Sequence, residues 1–335
     1  MENTEKRTGP AVNHPEDYNR VSLKRPVIRR LGTIMCDMVE TTPIVFNGRL
    51  YRFESVRAAR CNEANTYGDS YFRFVDVRTD EGTEPFAWRH DFGAAYTEGK
   101  YMYVSGIVPK SDRKTPDEGA TVRVFRSSDL KEWEIIGELQ LPDGTNGYNT
   151  GICKKDGVYT MLIETNKPIH FRFRFAQSTD LMHWELLPDE YRFHESNRYA
   201  GGPAIYTLPG DPHYYVFYLE SYHSTYFANC VARSLDLKHW TYSPLNPVLM
   251  FDEAEDRKIG NPFLSLHEQD RIARGIDINN SDLELCEFNG RTIMYYSWGC
   301  QCGVEFLAEA AYEGSMADFI HSYFYEKDED NEFFD

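Results

Sequence analysis

Three stretches of the chain carry one seven-residue pattern, S-x-D-L-x-x-W: Ser127 to Trp133, Ser178 to Trp184 and Ser234 to Trp240, with their aspartates 51 and 56 residues apart. A repeat of that period leaves few architectures open, because each unit must stack on its neighbours to bury its apolar face. A second repeat is offset from the first. Short strand-like runs end at Asn47-Gly48, Glu98-Gly99, Asp156-Gly157 and Asn289-Gly290, with a variant at Pro209-Gly210-Asp211-Pro212. Asn-Gly and Asp-Gly between apolar runs signal two-residue hairpins, whose central residues need positive φ. These turns divide the chain into five units, each with room for about four short strands. The expectation is an all-β chain, a five-bladed β-propeller of four-stranded antiparallel blades over residues 33–325. A 1–32 N-terminal arm would precede it, a short C-terminal helix would run from Met316 to Phe324, and residues 326–335 would form an acidic tail. Within each corner motif the Asp is expected to cap its own turn and the Trp to pack between blades.

Composition narrows the function. Hydrophobic residues make up 41% and aromatics 15% of the 335, enough for a sizeable core, and the formal net charge is −17. An acidic chain lacks the basic face that nucleic-acid binding requires. No apolar run approaches the length of a membrane span. The polar Met1 to Arg7 has no apolar run behind it, so the expected location is the cytoplasm. The cysteines are an odd seven, widely spaced except for Cys300 and Cys302, and read as reduced thiols. No cofactor and no metal is expected.

The glycine turns also supply a register. Eight residues before Gly48, Gly99, Gly157 and Gly290 stand Glu40, Asp91, Asn149 and Asp282, while the irregular fourth unit places Ala200 to Gly202 nearby. One structural position therefore offers an acid or amide in four of five units, where the inner strands begin around a shared channel. The second strand of each blade returns to that end, which brings Glu54, Glu164 and Glu220 to the same rim. Asp277 to Glu284 adds two asparagines, a serine and further acids, a density suited to sugar hydroxyls. Carboxylates gathered in a cleft raise one another's pKa, which yields a general acid beside an ionised base. Glycoside hydrolysis needs that pair.

The corner motifs, together with Met35-Cys36-Asp37-Met38-Val39-Glu40-Thr41-Thr42-Pro43 and Asp277-Ile278-Asn279-Asn280-Ser281-Asp282, resemble the five-bladed propeller glycosidases. These are glycoside hydrolase family 43, an uncharacterised family-43-like branch, and relatives in families 32, 62, 117 and 130. The resemblance implies an Asp base in blade one, an Asp modulator in blade three, a Glu acid in blade four, and inversion of configuration. This chain has Glu40, Asn149 and Gly201-Gly202-Pro203 at those places. The expected assignment is Glu40 as base or nucleophile, Asp91 as its partner or modulator, and Glu220 as acid. Asp37, His90, Asn149, Glu164, Asn280, Asp282 and Trp298 would contact the substrate, with His90 a second candidate acid by analogy with family 117. The reading is an intracellular glycosidase acting on short oligosaccharides. Its rivals are a glycoside phosphorylase, served by Arg57, Arg60, Arg89 or His223, and a non-catalytic sugar-binding propeller.

Overall fold

The computed structural model describes residues 25–58, 65, 67–167, 172–193, 198–223, 226–300 and 304–324. Twenty-one strands dominate it. The first, β1 (Arg29–Cys36), is followed by β2 to β5 (Thr41–Phe46, Arg49–Val56, Tyr71–Asp76, Glu81–Gly82) and β6 to β9 (Asp91–Glu98, Tyr101–Ile107, Thr121–Ser127, Glu134–Gln140). Next come β10 to β14 (Gly147–Lys155, Val158–Thr165, Arg172–Ser178, Glu185–Leu186, Arg192–Phe193) and β15 to β18 (Ala200–Thr207, Tyr214–His223, Tyr226–Ser234, Thr241–Tyr242). Two short helices, α1 (Glu253–Asp256) and α2 (Leu266–Arg274), precede β19 to β21 (Asn279–Phe288, Arg291–Gly299, Glu305–Tyr312) and α3 (Met316–His321).

Consecutive strands pair antiparallel in each group, as β2-β3-β4-β5, β6-β7-β8-β9, β10-β11-β12-β13 and β15-β16-β17-β18. A fifth group, β19-β20-β21, is completed from the other end of the chain, since β1 pairs antiparallel with β21. β1 therefore begins at Arg29, inside the segment expected to be an arm; residues 1–24 and the acidic tail lie outside the described residues. The first strand of each sheet lies beside the first strand of the next, through β2, β6, β10, β15 and β19, and β19 lies beside β2. Apolar clusters fill the spaces between successive sheets. Phe53, Phe72 and Phe74 meet Met102 and Val104, and Val122 and Leu139 meet Ile152 and Met161. Leu162 and Phe175 meet Val216 and Tyr218. Phe217 meets Met294 and the α3 residue Phe319. Tyr295 and Leu307 meet Val56 and Tyr71.

The repeated motif builds its corners identically in all three copies. In the second, Ser178 Oγ accepts from Asp180 N and Leu181 N, and Asp180 Oδ1 accepts from Met182 N and His183 N. Leu130, Leu181 and Leu237 sit at φ 63°, 64° and 63°, a left-handed conformation that disfavours leucine. The serine hydroxyl and aspartate hold it there. The tryptophans face the preceding sheet: Trp133 stacks on Phe86 at 3.8 Å, and Trp240 meets Phe193 at 4.8 Å. Ser178→Ala would leave buried amides unpaired and lower unfolding stability by about 1–3 kcal/mol, to be read from urea denaturation midpoints.

Candidate active site

Five strand beginnings converge at one end of the sheets. Glu40 stands just before β2, and its carbonyl accepts from Ser55 N at 3.1 Å. In the other sheets the inner strand is bulged. The pairing slips between Asp91 and Ala94, Gly147 and Thr150, Gly201 and Ala204, and Ser281 and Glu284. Phe92, Gly202 and Asp282 take φ 56°, 52° for Asp282 and 51° for Gly202 within those slips. A bulge re-aims side chains locally, and here it turns the strand beginnings toward a narrow pocket. Glu40, Gly93, Asn149, Thr150, Gly202, Pro203, Asp282 and Glu284 line it.

Charge is distributed unevenly around the pocket. Glu40, 6% exposed, forms an ion pair with Arg57, while its Oε2 has no hydrogen-bond partner among the described residues. The Arg57 guanidinium also lies 4.2 Å from the centroid of the Phe92 ring, which in turn meets Tyr148 edge-on at 5.4 Å. Glu164, at the end of β11, is 2% exposed. Its Oε2 accepts from Asn149 Nδ2 at 3.1 Å and from Gly202 N at 3.0 Å. Burial pushes its carboxyl up to about 8, outweighing those two donors, and the Asp282 charge adds to the rise while Arg57 opposes it. Burial likewise raises Glu284 to about 8, against a hydrogen bond from Thr42 and with help from Asp282. At neutral pH one protonated carboxyl, Glu284, thus lines the pocket, and a second, Glu164, is bonded to the pocket-lining Asn149 and Gly202. Tyr199 lies against the same group, its phenol raised by burial and by the charges of Glu164 and Asp282.

Two glycines make this crowding possible. A Cβ on Gly201 would meet Tyr199 Oη at 2.8 Å and Glu164 Oε1 at 3.0 Å, and one on Gly202 would meet Asp282 Oδ1 at 2.6 Å. Gly202→Ala should lower stability by about 1–3 kcal/mol, from its left-handed backbone and that contact, with the loss read by urea denaturation.

The other expected site residues lie elsewhere. Asp91 opens β6 opposite Ile107, and Gly93 rather than Asp91 lines the pocket. Glu220 is held by Arg198 at 3.4 Å near Cys230 Sγ, and burial raises its carboxyl; neither it nor Glu164 lines the pocket, but Glu164 bonds two residues that do. Asp37 makes a two-pronged pair with Arg271 of α2 at 2.6 and 2.7 Å, fastening that helix to the turn before β2. His90 Nδ1 donates to Trp88 O at 3.0 Å and its Nε2 accepts from Arg123 at 3.4 Å, and burial lowers its pKa. Asn280 donates to Asp256, which also takes Arg30 and Tyr296, so it belongs to a buried structural cluster. Trp298 is fully buried, stacked on Phe306, and donates to Thr33 Oγ1 at 2.8 Å; its ring packs the core and cannot serve as the sugar platform expected. Glu54 is neutralised by Arg52 and Arg73, each at 2.6 Å; burial would raise its carboxyl, but the two guanidiniums hold it below the usual value. Arg89 pairs with Asp112 at 2.8 Å, and Arg60 lies outside the described residues. The residues that sequence reasoning missed are Glu284 and Arg57's pairing with Glu40. Glu284 closes the polar run from Asp277, which was the available signal, since the bulge between Ser281 and Glu284 breaks regular strand alternation there.

The fold that carries this pocket is that of the propeller glycoside hydrolases of the family 43 and 32 type. Among solved structures, the chain is similar to a glycoside hydrolase at 13% identity, covering 91% of this chain and 96% of that one with a TM-score of 0.58. It is also similar to a thermostable family-43 glycoside hydrolase (10% identity, 83% and 90% covered, TM-score 0.57) and to the Bombyx mori family-32 β-fructofuranosidase (12%, 85% and 61%, TM-score 0.53). No protein-family model and no curated protein matches the sequence.

Proposed function

We propose that the chain is a glycoside hydrolase built on a closed five-bladed propeller, with Glu164 as general acid and Glu40 as general base. Closure is supported by the succession of inner strands that returns from β19 to β2 and by the apolar contact between the last sheet and the first. The observation that carries the function is a buried carboxyl, Glu164, bonded to the pocket-lining Asn149 and Gly202, beside the pocket that the Glu40 of the Glu40–Arg57 ion pair lines. Glu164 is buried, hydrogen-bonded and raised to about 8, so it keeps a proton to give at neutral pH. Glu40 faces Arg57 and has an oxygen without a donor, so it can accept one from water. An acid able to protonate a leaving oxygen and a carboxylate able to activate water are what glycosidic cleavage requires. Asn149 and Gly202 set the position of the acid through their hydrogen bonds, and the Asp282 charge raises it. The substrate class is a short oligosaccharide whose terminal sugar sits at the mouth of the pocket, since the pocket itself, about 10 Å³, has room for a single water.

Phosphorolysis is disfavoured by the charge around the pocket, since Arg57 is already committed to Glu40. A sugar-binding role without turnover draws on the same ion pair, which occupies one oxygen of the base. A screen against aryl α- and β-glycosides, arabinofuranosides and xylosides included, with and without phosphate, tests the reading. Hydrolysis independent of phosphate supports it. Phosphate-dependent turnover, or sugar binding without any cleavage, overturns it.

A further inference from the structure

The pocket has a back door. Beyond Glu284 the channel between the inner strands widens into a cavity of about 870 Å³. It runs toward the hairpin end of the sheets, past Val45, Thr97, Asp156 and Glu287. Glu284, Thr42 and Thr150 mark the neck: Glu284 and Thr150 line both spaces, and Thr42 lines the cavity and bonds Glu284. The cavity wall is made of inner-strand edges, whose unpaired backbone groups favour water.

We propose that Glu284 relays protons between channel water and the catalytic pair, along the row Glu284, Asp282, Glu164. The inference rests on the hydrolase reading above. Asp282 lines the pocket with Glu284, and its Oδ1 would lie 2.6 Å from a Cβ on Gly202, whose N donates to Glu164 Oε2 at 3.0 Å; its charge acts on both glutamates. The groups facing Glu284 are few. On its own strand there is Asp282. From β2 comes the Thr42 hydroxyl, which also accepts from Ala95 N at 3.2 Å. From β15 comes the Tyr206 phenol, which feels the Glu284 charge and accepts from Leu285 N at 2.7 Å. From β10 comes Thr150, bonded to Ser105 at 2.8 Å. Glu40 lines the same pocket from the start of β2. No lysine or arginine among these residues neutralises Glu284, so it holds a proton at neutral pH, as its raised pKa also indicates.

The balance is one proton per turnover. Glu164 gives a proton to the leaving oxygen, and Glu40 takes one from the attacking water. Ionised Asp282 then takes the proton of Glu284 and passes it to Glu164, and Glu284 is refilled by water from the channel. Glu40 releases its proton to water at the pocket mouth as the products leave. No oxidant or further reactant is involved, and the relay lets the acid recover while products still block the mouth.

The test compares the wild type with Glu284→Gln, an uncharged isostere that cannot pass a proton onward, on an aryl glycoside the wild type hydrolyses. The expected result is a fall of about tenfold in kcat at unchanged KM, a larger solvent isotope effect, and partial recovery on adding formate, a small acid able to enter the channel. A second variant, Gly151→Leu, blocks the channel from within. The atoms nearest its Cβ would belong to Ile205 and Ala204, at 3.4 Å or more, and Gly151 lines the cavity but not the pocket. It should reproduce the slower kcat and the isotope effect, without recovery in formate. An active wild type whose two variants keep its kcat and isotope effect overturns the relay and leaves the hydrolase standing. A wild type silent on every glycoside overturns both.

Discussion

Glu164→Gln should cost about 10²- to 10⁴-fold in kcat on glycosides with poor leaving groups, the range of a lost general acid. On 2,4-dinitrophenyl glycosides, whose leaving group needs no proton, the loss should shrink to a small factor. The amide keeps the volume and can still accept from Asn149 and Gly202, so the fold should survive. The wild-type rate should fall as pH rises through about 8, where Glu164 loses its proton, and that limb should vanish in the variant. Stability follows the same titration. Glu164 and Glu284 bind protons more tightly folded, at about 8, than at their ordinary 4.5. Their contribution is therefore complete below about pH 4.5 and is lost as pH rises toward 8 and beyond. Thermal midpoints measured from pH 5 to 9 should decline less steeply in Glu164→Gln. Equal losses on good and poor leaving groups would remove Glu164 from the acid role.

Glu40→Gln is the complementary case. It should lose about 10²- to 10⁴-fold on every leaving group alike, because activation of water does not depend on what departs. It also leaves the Arg57 guanidinium facing a neutral amide in a buried setting. Since Arg57 lowers the Glu164 carboxyl through its charge and would now lack its carboxylate partner, the remaining acid should titrate lower. The high-pH limb of any residual activity should move down. Aryl glycoside kinetics over pH 5 to 9 would check both points. An unchanged kcat in Glu40→Gln would exclude Glu40 as the base.

Much of the fold was legible because its rules are local. Asn47-Gly48, Asp156-Gly157 and Asn289-Gly290 have both turn residues at positive φ, as their composition requires. The S-x-D-L-x-x-W corners carry their own hydrogen bonds, so three copies could be recognised without any tertiary knowledge. The ring of site positions was readable for Glu40, Asn149 and Asp282, but counting failed in the second sheet for a definable reason. There β6 ends at Glu98 and β7 begins at Tyr101, so Gly99 is the first turn residue, at φ 58°, rather than the second. The position equivalent to Asp282 is then Phe92, which shares its left-handed bulge, and Asp91 falls one residue short. The choice between Glu164 and Glu220 was not legible for a different reason. Glu164 and Glu220 end equivalent strands, and only the long-range contacts separate them: Glu164 meets Gly202 and Asn149, whereas Glu220 meets Arg198. Nothing in either segment's pattern encodes that choice.

The fifth sheet joins strands made far apart in time. About 270 residues separate the end of β1 from the start of β21, so at 5–20 residues per second the ribosome takes on the order of 15–50 s to supply the partner. During that wait β1 is an orphan edge, able to pair with any nascent copy nearby. Crowded synthesis should therefore favour molecules that lend β1 to one another, and slower, sparser expression should favour chains that latch onto themselves.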